Sequence, residues 1–494
     1  MENHHLKIEQ EQFKVPKKAQ TSAYIIIGIG IVLTIIGFFM AKSKASSSES
    51  GHAINKHNTT ILQSNLQENA NTGAIDSNNL GTDSLSHQSD SNQATINANN
   101  LDENAMQVHT EHNAHSETIT HNGEHHKPWY ARVWAALLMN SYYIMLISLG
   151  GLFFICVQYV ANAGWATALL RIPMAIQTFF LIPAAVVMLI IAFAGADLYH
   201  WIHYQHENIK EGLPGFDKLL DAKKWFLNPT FLFIVLPIMI IVWYFLGRRI
   251  MRLSKREDAE GGKLFYSKII RTSAAFMVIF GFTFSLLAWL VVMSLDAHWF
   301  STIFGIYHFA ILWVSFLSVM MLITLFLRKH GYIKILTDEH IHDLGKFMFA
   351  FCVFWMYIWI AQYLLIWYAN IPEESIYYMM RRGSAYDVFF IINIFFNFII
   401  PFLLLMTREN KRNPKILVVA ACSILFGHWI DIYLSIYPGA FNGEVIYPGF
   451  LEVGFGLIWI GIFILWVLYS LTKRGLISKH HPFIEESVTH NVGV

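Results

Sequence analysis

Charge is scarce in this chain of 494 residues: Asp, Glu, Lys and Arg make up 14% of it, against about a quarter in a soluble domain. Cysteine is rarer still. Cys156, Cys352 and Cys422 lie far apart inside apolar runs, which excludes a disulfide framework, a cysteine-held zinc and a four-cysteine iron–sulfur cluster. Neither sign of charge is in surplus, with 35 basic against 34 acidic side chains, so nothing argues for nucleic acid as a partner. No CxxCH run could attach a c-type haem, and no glycine-rich nucleotide fingerprint stands in the polar loops. What the chain has in abundance is apolar surface. It is 55% hydrophobic and 15% aromatic, with 39 Phe and 15 Trp, more than one water-facing globule could hide. The composition is that of an all-α integral membrane protein.

Crossing about 30 Å of hydrocarbon takes about 20 apolar helical residues. Ten such stretches stand near 23–41, 136–160, 173–196, 229–247, 272–295, 302–327, 346–369, 387–406, 415–437 and 446–471. Short-loop lysines and arginines orient them. The 248–271 loop is strongly basic, and Arg328, Lys329, Lys334, Arg408, Lys411, Arg412, Lys415, Lys473, Arg474 and Lys479 fall on the same side by parity. The opposite loops hold few cations, Arg381 and Arg382 among them, although Lys210, Lys218, Lys223 and Lys224 weaken the contrast. The expectation is a multi-pass protein of a bacterial inner membrane with both termini cytoplasmic. The first apolar run exceeds a signal-peptide core and lacks a clear cleavage site, so it reads as a retained anchor.

Residues 43–126 contain no aromatic, proline or cysteine, and set ten acidic residues against Lys44 and Lys56. Such a segment cannot offset its ordering entropy by burial and is expected to be a disordered acidic linker, with nine histidines that include His121, His125 and His126. The stretch 206–225 mixes Leu, Phe and Trp with lysine, as an amphipathic piece on the outer surface would.

Ionisable groups at membrane depth are costly and so are functional candidates. By the orientation above, Asp197, His200, His203 and His206 end the third span, Asp296 and His298 end the fifth, and His308 lies about two turns into the sixth. Gln362, Tyr363 and Asn370 lead to Glu373 and Glu374. His428 and Asp431 share one helix face, and Glu452 is expected about two turns below the outer surface. Asn393 and Asn397 read most simply as helix–helix hydrogen bonds, and Trp299, Trp367, Tyr368 and Tyr377 as an aromatic belt. The chemistry thus faces outward. It leaves two classes open, a proton-coupled secondary transporter and the membrane subunit of a redox complex.

Two stretches carry more than composition. Residues 294–312, SLDAHWFSTIFGIYHFAIL, and 342–374, HDLGKFMFAFCVFWMYIWIAQYLLIWYANIPEE, resemble the NrfD-like (polysulfide-reductase membrane subunit) proteins of alternative complex III, the bacterial quinol:cytochrome c oxidoreductase. Of that complex's two related membrane subunits the chain is most similar to the second, quinone-binding subunit 2 (ActF). The resemblance spans roughly 128–475 and implies two four-helix bundles, from helices 2–5 and 6–9, with flanking helices. It divides the chain into an N-terminus with its anchor (1–42), the linker (43–126), the NrfD-like domain (127–475) and a cytoplasmic tail (476–494). It implies no cofactor and no metal in this chain, with menaquinone or another quinone as the small molecule it could meet. The implied partners are the sister NrfD-like subunit, multihaem c-type cytochrome subunits, an iron–sulfur/molybdopterin-like subunit carrying the clusters, and a terminal oxidase. No catalytic residue is assigned. Proton-pathway candidates are Asp197, His200, His428, Asp431 and Glu452, with His342, Asp343 and Lys346 as a cytoplasmic mouth. Quinone-region candidates are Asp296, His298, His308, Gln362, Tyr363, Glu373 and Glu374.

Overall fold

The computed structural model describes residues 12–43, 127–207, 216–382 and 386–490. The acidic segment expected to be a linker lies, but for Ser43, outside the described residues, as does the 208–215 part of the expected amphipathic piece. Among the described residues the only extended pairing is an isolated bridge between Gln12 and Gly475.

Among the described residues ten helices are long and apolar enough to cross a membrane: α1 (Lys17–Ser43), α2 (Ala131–Val160), α3 (Arg171–Leu198), α4 (Pro229–Glu260), α5 (Lys263–Leu295), α6 (Ile303–Lys329), α7 (Asp338–Ala369), α8 (Asp387–Leu405), α9 (Pro414–Ala440) and α10 (Phe450–Thr472). Apolar runs locate the spans but not their ends. The stretch 248–271, expected as a basic loop, is helix on both sides of Gly261 and Gly262, whose φ of 69° and 89° make the turn that L side chains disfavour. Likewise α7 begins eight residues before its apolar run, at Asp338, because Thr337 caps it: the backbone N–H of Thr337 donates to His340 Nδ1 at 3.2 Å.

Helices α3 and α8 lose regular winding in mid-span, each just before a proline. In α3 regular winding stops between Gln177 and Leu181, where Phe179 and Phe180 donate to carbonyls only three residues back. Pro183 has no N–H for the Phe179 carbonyl and its ring pushes against it. In α8 residues Phe395–Ile399 form a wide π turn just before Pro401, which cannot donate to Asn397.

Neighbour relations place the interior. Helices α2 and α3, α3 and α4, α4 and α5, and α5 and α2 pack against one another. So do α6 and α7, α7 and α8, α8 and α9, and α9 and α6. The first four meet the second four along α2, α5, α6 and α9, and α10 lies on α2 and the start of α3. Helix α1 crosses α10 at glycines: a Cβ added to Gly30 would fall 2.8 Å from the Ile458 nitrogen and 2.9 Å from the Gly454 oxygen. Without water exclusion to drive association in hydrocarbon, such close backbone approach is what holds two helices together.

Residues 476–490, the described part of the tail expected over 476–494, pack on the basic end of the helices. Leu476, Ile477, Ser478 and Ser487 are buried. The Ser487 hydroxyl donates to the Trp165 carbonyl (3.1 Å), and His490 Nε2 is 2.7 Å from Asp343 Oδ2.

Candidate functional site

A cluster of polar side chains lies inside α6–α9, around Asp431. The i, i+3 spacing on α9 sets His428 Nδ1 3.6 Å from Asp431 Oδ2, both side chains buried. That distance is too long for a hydrogen bond, and neither ring nitrogen of His428 has a hydrogen-bond partner among the described residues. The carboxylate itself is well supplied. The Tyr307 hydroxyl of α6 donates to Oδ1, Trp355 Nε1 of α7 donates to Oδ2 at 3.1 Å, and Asn393 Nδ2 of α8 donates to Oδ1 at 2.9 Å. Asn397 Nδ2 then donates to Asn393 Oδ1 at 2.5 Å. The two asparagines thus extend the carboxylate's network, a larger part than the helix–helix bonds expected of them. The wide turn of α8 presents Asn397, and Gly427 of α9 faces it, where a Cβ would collide with the Asn397 amide.

From Asp431 a narrow cleft leads toward the cation-poor end. It is lined by Tyr307, Gln362, Tyr378, Arg381 and Ser435 among others, and leaves about 20 Å³ for water centres, room for one or two waters. Arg381 closes it. Its guanidinium donates to Asp296 Oδ2 (2.8 Å), to the Leu434 carbonyl (2.9 Å) and to the Tyr377 carbonyl (2.8 Å). It also lies 3.5 Å from the centroid of the Tyr377 ring, which stacks on Trp299 at 3.8 Å. Burial works against the Arg381 charge, but the Tyr377 and Asp296 surroundings outweigh it and raise its pKa. Burial pushes the Tyr377 phenol up to about 12, with Arg381 pulling the other way. Trp299 and Tyr377, expected as interfacial belt residues, are therefore the buried floor of this site, whereas Trp367 and Tyr368 are exposed as a belt requires.

Glu452 forms a second centre. It sits in the first turn of α10, shallower than expected, because residues 446–449 are extended and the helix starts at Phe450. Arg132 of α2 grips it with two hydrogen bonds, 2.8 Å to Oε1 and 3.0 Å to Oε2, while Tyr437 Oη donates at 2.8 Å and the Gly449 N–H at 2.6 Å. A carboxylate held by four donors is a clamp between α2, α9 and α10.

At the basic end, Lys346 Nζ lies 2.5 Å from Asp343 Oδ1, His342 Nδ1 is 4.0 Å from the same oxygen, and Arg412 pairs with Glu339. Lys411 donates to the carbonyls of Leu405 (2.8 Å) and Met406 (3.2 Å); burial lowers its pKa and Lys346 adds to the effect. These residues do gather, but His490 covers Asp343.

The remaining candidates scatter. His308 Nδ1 is 3.1 Å from the Tyr142 hydroxyl, where the two sets of helices meet. His298 turns outward to Asp217 (2.5 Å), and its ring neighbours His200. Burial raises the Asp217 pKa, but hydrogen bonds from His298, Leu220 and Leu219 outweigh it and hold it below its ordinary value. Asp197 is half-buried near the end of α3, Tyr363 stacks on Trp359, Glu373 is exposed and Glu374 half-buried in the first turn of a short helix, Pro372–Met379. Of the quinone-region residues, only Asp296 and Gln362 reach the cleft or its Arg381 gate.

Whether the residues fit a quinone turns on space and polar atoms. The cleft beside Asp431 has room for water but not for a ring. A larger cavity of about 710 Å³ lies among α1, α2, α6, α9 and α10, almost wholly apolar. Its inner polar groups are paired, Trp429 Nε1 with Asn140 Oδ1 (2.9 Å), Asn140 Nδ2 with the Glu452 carbonyl (3.1 Å) and the Tyr143 hydroxyl with the Leu425 carbonyl (2.9 Å), and Ser22 is exposed. It suits hydrocarbon, not a quinone headgroup. No protein-family model matches this chain, and no curated protein matches it.

Proposed function

We propose that this chain is a membrane subunit of a bacterial quinol:cytochrome c oxidoreductase of the alternative complex III kind, and that its part is to carry protons through α6–α9. The resemblance of 294–312 and 342–374 to NrfD-like subunits supports the class, and the two closed sets of four helices are what such a two-bundle architecture needs. The single observation that carries the role is Asp431. A buried carboxylate with a tyrosine hydroxyl, a neighbouring imidazole whose ring nitrogens have no hydrogen-bond partner among the described residues and a water-sized cleft leading outward is a short relay of exchangeable protons. The Asn393–Asn397 pair holds the carboxylate end of this relay in place from α8. With the basic end in the cytoplasm the relay opens toward the side where haem and iron–sulfur partner subunits would receive electrons.

The irregular α3 and α8 favour a second reading, since transporters break helices at their binding sites. One preparation separates the two. Solubilised in mild detergent and pulled down, the chain should bring several subunits and haem c absorption with it; a colourless, single-component eluate would overturn the redox reading. Within the complex, Asp431→Asn with His428→Ala should slow quinol oxidation and its proton release. Unchanged rates would make the pair structural.

A further inference from the structure

At the basic end of α2, α3, α4 and α10 lies a cavity of about 390 Å³ that the proton relay does not use. Three cations line it: Arg248 from α4, and Lys473 and Arg474 just past α10. No carboxylate lines it among the described residues. Arg248 and Lys473 lean on aromatic rings at the mouth, 5.5 Å from Tyr244 and 4.2 Å from Tyr469, so neither charge is spent on an acid there. Arg474 Nη1 is buried with no hydrogen-bond partner among the described residues. Gln177 is 7% exposed, lines the cavity beside the break in α3, and its Nε2 is likewise unpartnered; so is the indole N–H of the fully buried Trp243. Buried donors without acceptors are costly, and here a guanidinium, an amide and an indole share one cavity with no acid.

The nearby Asp258 acts on Arg474 but is itself paired with Arg171, and an anion rich in acceptor oxygens would serve the donors that line the cavity. The cavity opens sideways: Leu181, Trp466 and Tyr469 at its edge are more than a third exposed, on helices that cross the membrane. Its volume exceeds that of a phosphate and leaves room for the glycerol and first methylenes behind one. We propose that this cavity binds the headgroup phosphate of an anionic phospholipid, with Arg474 and Lys473 on the phosphate oxygens, Gln177 donating from the wall and the acyl chains leaving past Trp466 and Tyr469. Basic pockets between membrane helices at the cytoplasmic interface are suited to such headgroups. The site stands whether or not the chain serves a respiratory complex.

Native mass spectrometry of the delipidated full-length chain tests it, with phosphatidylglycerol or phosphatidylcholine of the same acyl chains added. The wild-type chain should keep one phosphatidylglycerol about tenfold more tightly than phosphatidylcholine. Lys473→Gln with Arg474→Gln should weaken phosphatidylglycerol alone, by about fivefold for each cation removed. Arg249→Gln with Arg252→Gln, exposed cations of the same end outside the cavity, should change nothing. Equal binding of the two lipids, an unaffected double variant, or an equal loss in the control would overturn the proposal. Displacement by millimolar inorganic phosphate would do so too, by assigning the cavity to a soluble anion. Should the double variant fail to fold, the exposed Lys473→Gln alone decides: no loss of phosphatidylglycerol affinity refutes the site.

Discussion

The two sets of four helices fill their interiors in opposite ways. Between α2 and α5, and where α6 meets them, the interior is aromatic: Phe153, Trp243, Phe280, Phe284, Phe309 and Trp313 meet ring to ring, with Phe280 and Phe284 stacked at 4.9 Å. Between α6 and α9 the same space holds Asp431, His428, Asn393, Asn397, Tyr307 and, toward one end, Arg381. In hydrocarbon an apolar filling gains little from leaving lipid and depends on close packing, whereas a polar filling must be satisfied internally and fixes its helices by doing so. One set is a frame. The other is a frame built around a hydrogen-bonded carboxylate.

The contrast can be broken hardest at Arg381. Arg381→Met would strand the Asp296 carboxylate and two carbonyls in a buried place, with an expected loss of about 3–5 kcal/mol and the largest fall in Tm of any single change here, read by tryptophan fluorescence on heating. Next comes the aromatic set. Phe280→Ala should cost about 3 kcal/mol through the cavity it leaves, yet the protein that remains folded should keep its wild-type rate. Asp431→Asn inverts that outcome. With its oxygen in the Oδ1 place the amide keeps the shape and still accepts from Tyr307 and Asn393, while its NH2 faces the Trp355 N–H and loses that one bond, so folding should lose only about 1–2 kcal/mol; under the proposed proton role, turnover should fall about a hundredfold, as for a lost proton carrier. If Phe280→Ala slowed turnover as much as Asp431→Asn did, the division of labour between the two sets would be wrong.

The smallest effect concerns the segment 476–490, which touches both sets. Burial holds the His481 pKa down at about 4 against an ordinary 6.5, with the charge of Arg171 adding to it. Above pH 6.5 docked and released forms are both neutral, and docking is at full strength. Between pH 6.5 and 4 the released ring takes up a proton that the docked ring refuses, so docking weakens as pH falls and the loss is complete below about 4. Protection of 476–490, with exchange rates divided by the intrinsic rate at each pH, should fall through that window, and His481→Phe should remove this histidine's share of the pH dependence while leaving that of His340, which lies against Ser487.

Much of this was legible in the sequence, and the rest was hidden for physical reasons. Hydropathy sees only the part of a helix that lies in hydrocarbon, so all ten spans stood out while α4, running on through Arg248 to Glu260, appeared to stop early. The pairing of His428 with Asp431 follows from helical spacing alone. Arg381 could not be read that way. It lies in an outer connection, where an arginine looks like a minor exception to the charge asymmetry, and only the folding of 372–382 back over α9 turns it inward. Its one local signal was the pair Arg381 and Arg382 on a side poor in cations. Tyr307 and Trp355 were hidden because one hydroxyl or one indole N–H among apolar neighbours leaves no trace in a hydropathy profile. Arg132 stood at a helix start where an arginine is ordinary, and only its partner Glu452 gives it meaning.

The wide turn at Phe395–Ile399 has a consequence for how α8 can change over generations. A π turn is one residue more than an α-helix needs, and each residue of helix is about 100° of rotation. Losing that residue would leave α8 nearly as long and as apolar as before, but would swing the Asp387–Ile394 half around its axis and carry Asn393 away from Asp431. The extra residue thus works as an angular adjustment between two halves of one rod. It lets the half beyond Pro401 keep its seat on α7 and α9 while the other half is aimed on its own.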